Sequence, residues 1–496
     1  MQINEGLKVY DSLTLQQREA RLRRSGVEAV LVSGERGKQP GWIEPKHSMV
    51  QRETQASVAN DRRNPLPPAS THFRQSYRII VFNLTVLEIL PLGAGSAMKV
   101  AAGSAGGTGR EADGAGGRQR SGGSQEAEGG PSQEEAETDR NADTGEYGAA
   151  YEDAAAAPDY WSQAGERRGI LKLLQSVAIR ALYGLGLDSG EVVLAALGDR
   201  RYAVERIEPL RSARVGPYRS AAASLARSVA LEQPGRPGLL MGMDPEFLLL
   251  RESTGRVVPA SRYLPTDGVA GCDAGPSGTR GVFPVAELRP QPRREPRALL
   301  AQLMSAARTA DRLIADRSLR WRAGGMPLRG WALGGHLHFS GVTLSAPLLR
   351  ALDNYLALPL LLLEDARAGA RRPRYGVLGD FRHQPHGGFE YRTLPSFLVS
   401  PVIAKGAVHL AHLIVSHYED LPLRPLDRED LHAAYYSGDK ALLRAAFPPL
   451  AKQLRHLSGY PCAAPCIEPL FRFIAEERTW DESRDIRALW CGGEKG

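Results

Sequence analysis

The chain has 496 residues, 42% of them hydrophobic, and a formal net charge of +7, so it is long enough for more than one domain and apolar enough for a real core. The charge is uneven: residues 93–158 hold 12 acidic and 5 basic side chains, which leaves about +14 on the rest. A basic folded part suits a polyanionic partner, but the aromatic–basic interleaving of single-strand binders is missing, and nucleic acid is not the expected partner.

The opening stretch has no signal-peptide h-region. Within it, "SLTLQQREARLRRSG" predicts a short amphipathic helix capped by Ser12 and ending near Gly26, and "VEAVLVSG" predicts a strand. Residues 35–75 are polar and Pro-dotted and read as loop. "YRIIVFNLTVLEIL" reads as a second strand, interrupted by Asn83, Thr85 and Glu88. No run of about 18 apolar residues is found, so no membrane span and a cytoplasmic protein are expected. Residues 93–160 are rich in Gly, Ala and Glu and almost free of large apolar side chains. Such a segment cannot bury enough surface to offset its ordering entropy, and it reads as disordered.

"RRGILKLLQSVAIRALYGLGL" then has helical spacing, and "EVVLAALGDRRYAVERIEPL" reads as a hairpin turning at Gly-Asp. Residues 1–92 and 161–235 are expected to form one small α+β domain, with 93–160 inserted at its surface. Residues 236–425 read as a catalytic domain and 426–496 as a helical extension. In the former, "GLLMGMDPEFLLL", "VFPVAELRP", "GWALGGHLHFSG" and "GGFEYRTLPSF" are strand-like, and "REPRALLAQLMSAARTADRLIADRSL" and "SAPLLRALDNYLALPLLLLEDA" are helical. His409 and His412, three apart, read as ordinary helix positions. Four cysteines are too few for a disulfide scaffold, and Cys462 and Cys466 in the Pro-broken "PCAAPC" read as packing thiols.

The four strands share one arrangement. Asp244 and Glu246, Glu287 and Arg289, His336 and His338, and Glu390 and Arg392 are each spaced i, i+2 among apolar residues. Residues two apart share a face of a strand. One such pair is commonplace, but four within 150 residues would be costly to bury without partners. If the strands adjoin, one face presents Asp244, Glu246, Glu287, His336, His338 and Glu390. Oxygen ligands with imidazole suit Mg2+ or Mn2+ better than Zn2+. Interleaved arginines suit a metal-bound phosphate, and Arg371, Arg372, Arg374 and Arg382 lie nearby in sequence. No Walker-type or kinase signature is present, so an ATP site would use metals and arginines on a sheet.

The ordered set "GMDPEF", "ELRPQP", "GGHLHFS", "RYGVLGDFR" and "FEYRTLPSF" resembles the glutamine synthetase and glutamate–cysteine ligase superfamily, and within it the phage-type COOH·NH2 ligases, or type 2 amidoligases. The resemblance spans about residues 239–401. It implies an α+β fold with a curved, mainly antiparallel sheet lining a funnel, backed by helices. It implies ATP-dependent joining of a small-molecule or peptide carboxylate to an amine through an acyl phosphate, with an oligomer left open. Glu246, Glu287, Glu390, Asp244 and His336 would hold metal. Arg289, Arg372, Arg382 and His338 would hold the cofactor, the division between the two histidines being open. Glu390, Arg382 and Arg392 would act in catalysis. Two other readings are an H-x-H metal-dependent amidohydrolase, which needs repeated βα units, and a non-catalytic interaction protein on a decayed ligase fold.

Overall fold

The computed structural model describes residues 3–32, 75–92, 158–214, 216–276, 279, 282–385 and 387–492. The expected loop at 35–74 and the expected disordered segment up to residue 157 lie outside the described residues. The chain divides into two compact units, Met1–Ala101 with Lys172–Gly496, and Ala102–Leu171. In the second, residues 158–171 are described and begin a helix, Pro158–Gly184.

Strands β1 (Glu28–Ala29), β2 (Ser76–Phe82), β3 (Thr85–Leu92), β4 (Gly190–Gly198) and β5 (Arg201–Pro209) form a sheet in the order β1-β5-β4-β2-β3. Segments far apart in sequence thus pair directly, β2 running antiparallel to β4. The run expected as one strand at 77–90 is a hairpin, because Asn83 and Leu84 turn it with φ of 42° and 63°. A leucine in that region is unusual, and no glycine marked the turn. The β4–β5 hairpin turns at Asp199 and Arg200, with φ of 49° and 58°, the left-handed pair that two-residue hairpin loops need. The N-terminal helix is Leu15–Arg24, capped by Thr14 and not Ser12. Thr14 and Gln17 exchange side chain-to-backbone bonds in a capping box, whereas Ser12 closes the preceding turn of helix, Leu7–Ser12.

Eight strands form the second sheet. They are β6 (Leu240–Arg251), β7 (Arg256–Val258), β8 (Ala270–Asp273), β9 (Val285–Leu288), β10 (Leu319–Arg322), β11 (Gly335–Ser340), β12 (Phe381–His383) and β13 (Phe389–Tyr391). The order is β12-β13-β11-β6-β9-β8, with β7 and β10 also paired to β6. Every pairing is antiparallel and the sheet is open. The expected mainly antiparallel α+β architecture holds. Side chains alternate as the pleat requires. Met241, Met243, Phe247 and Leu249 of β6, Leu337 and Phe339 of β11, Phe389 and Tyr391 of β13, and Ala286 and Leu288 of β9 enter one core. The residues between them face the other way.

Helices Pro296–Leu313, Pro401–His417 and Tyr460–Ala475 back that core. The last runs unbroken through Pro465 and Pro469 and carries both Cys462 and Cys466, so "PCAAPC" is helical and not a Pro-broken segment. Residues 346–363, within the stretch expected to be helical, are long and apolar enough to cross a membrane by length and composition. They are 94% buried within the protein, as a core helix is. A π-helical turn, Asp353–Ala357, interrupts this helix, and such turns recur at functional sites.

Candidate functional site

The register of the second sheet sets the polar residues against one another. Asp244 lies opposite His336, and Gly242 opposite His338. His338 also lies opposite Glu390, Glu390 opposite Arg382, and Glu246 opposite Glu287. The six residues expected on one face are therefore on neighbouring strands of one sheet. A residue slip in any strand would send its polar set into the core.

The side chains meet. His338 Nε2 is 2.9 Å from Asp244 Oδ2. His336 Nδ1 is 3.1 Å from Asp244 Oδ1 and 3.2 Å from Glu390 Oε1. Glu390 is fully buried and accepts from Arg382 Nε at 2.6 Å, Gln384 Nε2 at 2.9 Å and Arg392 Nη1 at 3.0 Å. Arg289 pairs with Glu287, and Glu246 Oε2 accepts from the Gly334 amide at 2.7 Å. A Cβ on Gly334 would lie 2.3 Å from His336 Nε2, which accounts for the bare backbone ahead of the histidine strand. Likewise a Cβ on Gly271, opposite Glu287, would lie 2.1 Å from the Arg289 guanidinium.

The charges are strained by one another. Burial alone would raise Asp244, but the hydrogen bond with His338 and the close charged contact with His336 outweigh it and hold its carboxyl well below the usual range. His336 shows the reverse balance: burial lowers it, Asp244 and Glu246 raise it more, and it ends above its ordinary value. Glu287 is pushed well above the carboxylate range by burial and by the charge of Asp244, with Arg289 opposing and Glu246 adding to the rise. Glu246 is raised chiefly by burial. Carboxylates this close cannot all ionise without added positive charge.

A cation fits that deficit. Asp244, His338 and Glu390 each offer a ligand atom, all within 4.8 Å of one another, the one such group among the described residues. Asp244 Oδ1 is buried and, despite its contact with His336, accepts no aligned hydrogen bond. His336 rests against the same two carboxylates, so either imidazole can reach them.

A cavity of about 160 Å3 beside these residues is lined by Glu246, Asp273, His336, Arg371, Asp380 and Arg392. Arg372 stands apart from it. Its guanidinium is buried against Glu364, at 2.9 and 3.2 Å, and lies over the Tyr435 ring. The neighbouring Arg371 reaches the cavity instead, held by the Thr393 and Leu394 carbonyls at 3.1 and 3.0 Å. Sequence cannot choose between adjacent arginines in "RRPRYG". Gln384 was also missed, although it lies two residues from Arg382 and obeys the same spacing rule. Asp273 and Asp380 carried no comparable signal. Behind the strand, Asp353 at the π-helical turn accepts from Tyr183 Oη and Tyr391 Oη, both at 2.7 Å, and from the Gly379 amide at 3.0 Å.

Comparison with known proteins gives low overlaps with solved structures. A bifunctional glutathione synthetase from Pasteurella multocida shares 12% identity over 53% of this chain and 49% of its own, with a TM-score of 0.32. This chain thus spans about half the length of that synthetase. Ligand-free GmaS shares 13% identity over 57% of this chain and 80% of its own, at 0.29, and a GmaS–ADP complex 13% over 55% and 77%, at 0.28. Overlaps of this size decide nothing about chemistry. No curated protein matches the sequence. The family described as phage phiEco32-like COOH.NH2 ligase-type 2 matches over residues 241–491, half of the chain and all of the polar sheet face. The chain belongs to that family.

Proposed function

We propose that this protein joins a carboxylate to an amine at the expense of ATP, through an acyl phosphate, on the polar face of the second sheet. The observation that carries the reading is the meeting of Asp244, Glu246, Glu287, His336, His338 and Glu390 on adjacent strands, with Arg382 and Arg392 tied to Glu390.

A carboxylate resists attack because oxide is a poor leaving group. Transfer of the γ-phosphoryl group to a carboxylate oxygen releases ADP, and attack by the amine on the acyl carbon then expels phosphate. Mg2+ or Mn2+ held by Asp244, Glu390 and one of the two histidines, with Glu246 and Glu287 across the sheet, would spread the phosphate charge. Arg392 lines the cavity and can hold the carboxylate or the moving phosphoryl group, and Arg382 can stabilise charge on the phosphate. Glu390 fixes both guanidinium groups in place from 2.6 and 3.0 Å. Arg289, tied to Glu287, can reach the same phosphates, and Arg371 takes the place first expected of Arg372.

A hydrolase built from βα units is not favoured, because every pairing in the site's sheet is antiparallel. Residues 236–425 would be the catalytic domain, 426–496 a helical extension, and residues 1–92 with 161–235 a small α+β domain.

The test supplies ATP, Mg2+, hydroxylamine and pooled carboxylic acids. Hydroxamate formation matched by ADP release is expected, and Glu390→Gln and Arg392→Ala should each abolish it. Undiminished turnover in either variant removes the roles assigned here.

A further inference from the structure

A second cavity, of about 450 Å3, adjoins the first. It is lined by Lys172, Arg180 and Tyr183 from the helix Pro158–Gly184, by Arg382 of β12, and by Asp380 and Arg392, which flank β12 and β13. Asp380 and Arg392 line both cavities, so the two meet at this pair. The volume is within the range of small-ligand sites, about 300–1,000 Å3.

The helix is held there by specific contacts. Tyr183 donates to Asp353 Oδ2 at 2.7 Å, while Asp353 Oδ1 accepts from Tyr391 beside Glu390 and from the Gly379 amide of the arginine loop. The Tyr183 ring lies so close to Gly379 that a Cβ there would be 2.2 Å from it. One carboxylate thus pins the helix, the loop before Arg382 and the strand of Glu390 together. Lys172 and Arg180 are presented by a fixed element.

The charge in this cavity is unbalanced. Lys172, Arg180, Arg382 and Arg392 supply four cations against Asp380 on the wall and Glu390 bound to the last two, leaving two in excess. Among the described residues, Lys172 and Arg180 have no ion-pair or hydrogen-bond partner, and Arg180 is half-buried. A half-buried guanidinium without a partner gains from an arriving anion. The anion need not be metal-bound phosphate: none of Asp244, His338 and Glu390, the group able to hold a cation, lines this cavity, and Asp380 is the one carboxylate that does.

We propose that the cavity lined by Lys172, Arg180, Arg382 and Arg392 receives a second anionic group of the carboxylate substrate, so that the acid activated here carries at least two negative charges. The inference rests on the ligase reading and adds the substrate class. The reacting carboxylate sits at Arg392, where the cavities meet, and the distal one between Arg180 and Lys172.

The experiment has two arms on the full chain, with Arg180→Ala, Arg180→Lys and Lys172→Ala variants checked for folding by thermal unfolding. Calorimetric titration with glutarate, citrate and butyrate should show the polyanions binding at least tenfold tighter than butyrate. Arg180→Ala should erase that preference and Arg180→Lys keep part of it. In hydroxylamine trapping, Arg180→Ala should raise KM for the acid at least tenfold, with KM for ATP unchanged and kcat within twofold. Equal binding of butyrate and glutarate overturns the inference. So does a rise confined to KM for ATP, which would assign the cavity to nucleotide phosphate. Hydroxamate formation failing with every acid, while glutarate still binds through Arg180, would sink the ligase mechanism and support the cavity.

Discussion

Asp353 offers a sharp test of how the site is braced. It is completely buried and accepts three hydrogen bonds, which by themselves would hold its carboxyl low. Burial outweighs them and pushes it from 3.8 up to about 6. A carboxyl raised on folding binds protons more tightly in the folded state, so its ionisation costs stability as pH rises from 3.8 through about 6. A shift of roughly 2 units costs about 3 kcal/mol at pH 7.5 but only about 1 kcal/mol at pH 4.5. Asp353→Asn cannot ionise and escapes this change. Urea unfolding of both proteins at the two pH values isolates it, since all other titrating groups are shared. The stability of the native protein relative to the variant should fall by about 2 kcal/mol between pH 4.5 and 7.5. A difference that stays constant, or moves the other way, would show that the three hydrogen bonds win and that the carboxyl is not raised.

Further outcomes follow from single contacts. Gly334→Ala should displace the His336 ring, from which its Cβ would lie 2.3 Å away, cutting turnover at least tenfold with little change in Tm. Arg372→Ala leaves Glu364 buried without its partner, so it should cost about 3–5 kcal/mol. The double change Arg372→Met with Glu364→Leu should recover most of that, as read by thermal unfolding. Millimolar Mg2+ or Mn2+ should raise the Tm of the native protein by binding the folded state, and Asp244→Asn should abolish the rise.

The polar face was legible because a strand has a period of two. Asp244, His336, His338 and Glu390 interrupt apolar runs at spacings that only a pleated sheet converts into one face, and the register then joins them. What escaped the sequence was decided by tertiary packing. Whether Arg371 or Arg372 reaches the cavity depends on Glu364, eight residues from Arg372, becoming its buried partner. The hairpin at Asn83 and Leu84 lacked a glycine to announce it, and Thr14 took the cap from Ser12 because Gln17 completes the reciprocal pair. Asp353 read as one acidic residue in an apolar helix, and only the meeting of Tyr183, Gly379 and Tyr391 gives it a role.

Phosphoryl transfer to the carboxylate, as proposed, leaves an isotopic trace. Its most direct measurement uses an acid from the trapping screen labelled with oxygen-18 in its carboxyl group, with mass analysis of the released phosphate. One labelled oxygen should pass to inorganic phosphate for each amide formed. Phosphate carrying no label, or label recovered in AMP, would contradict the account.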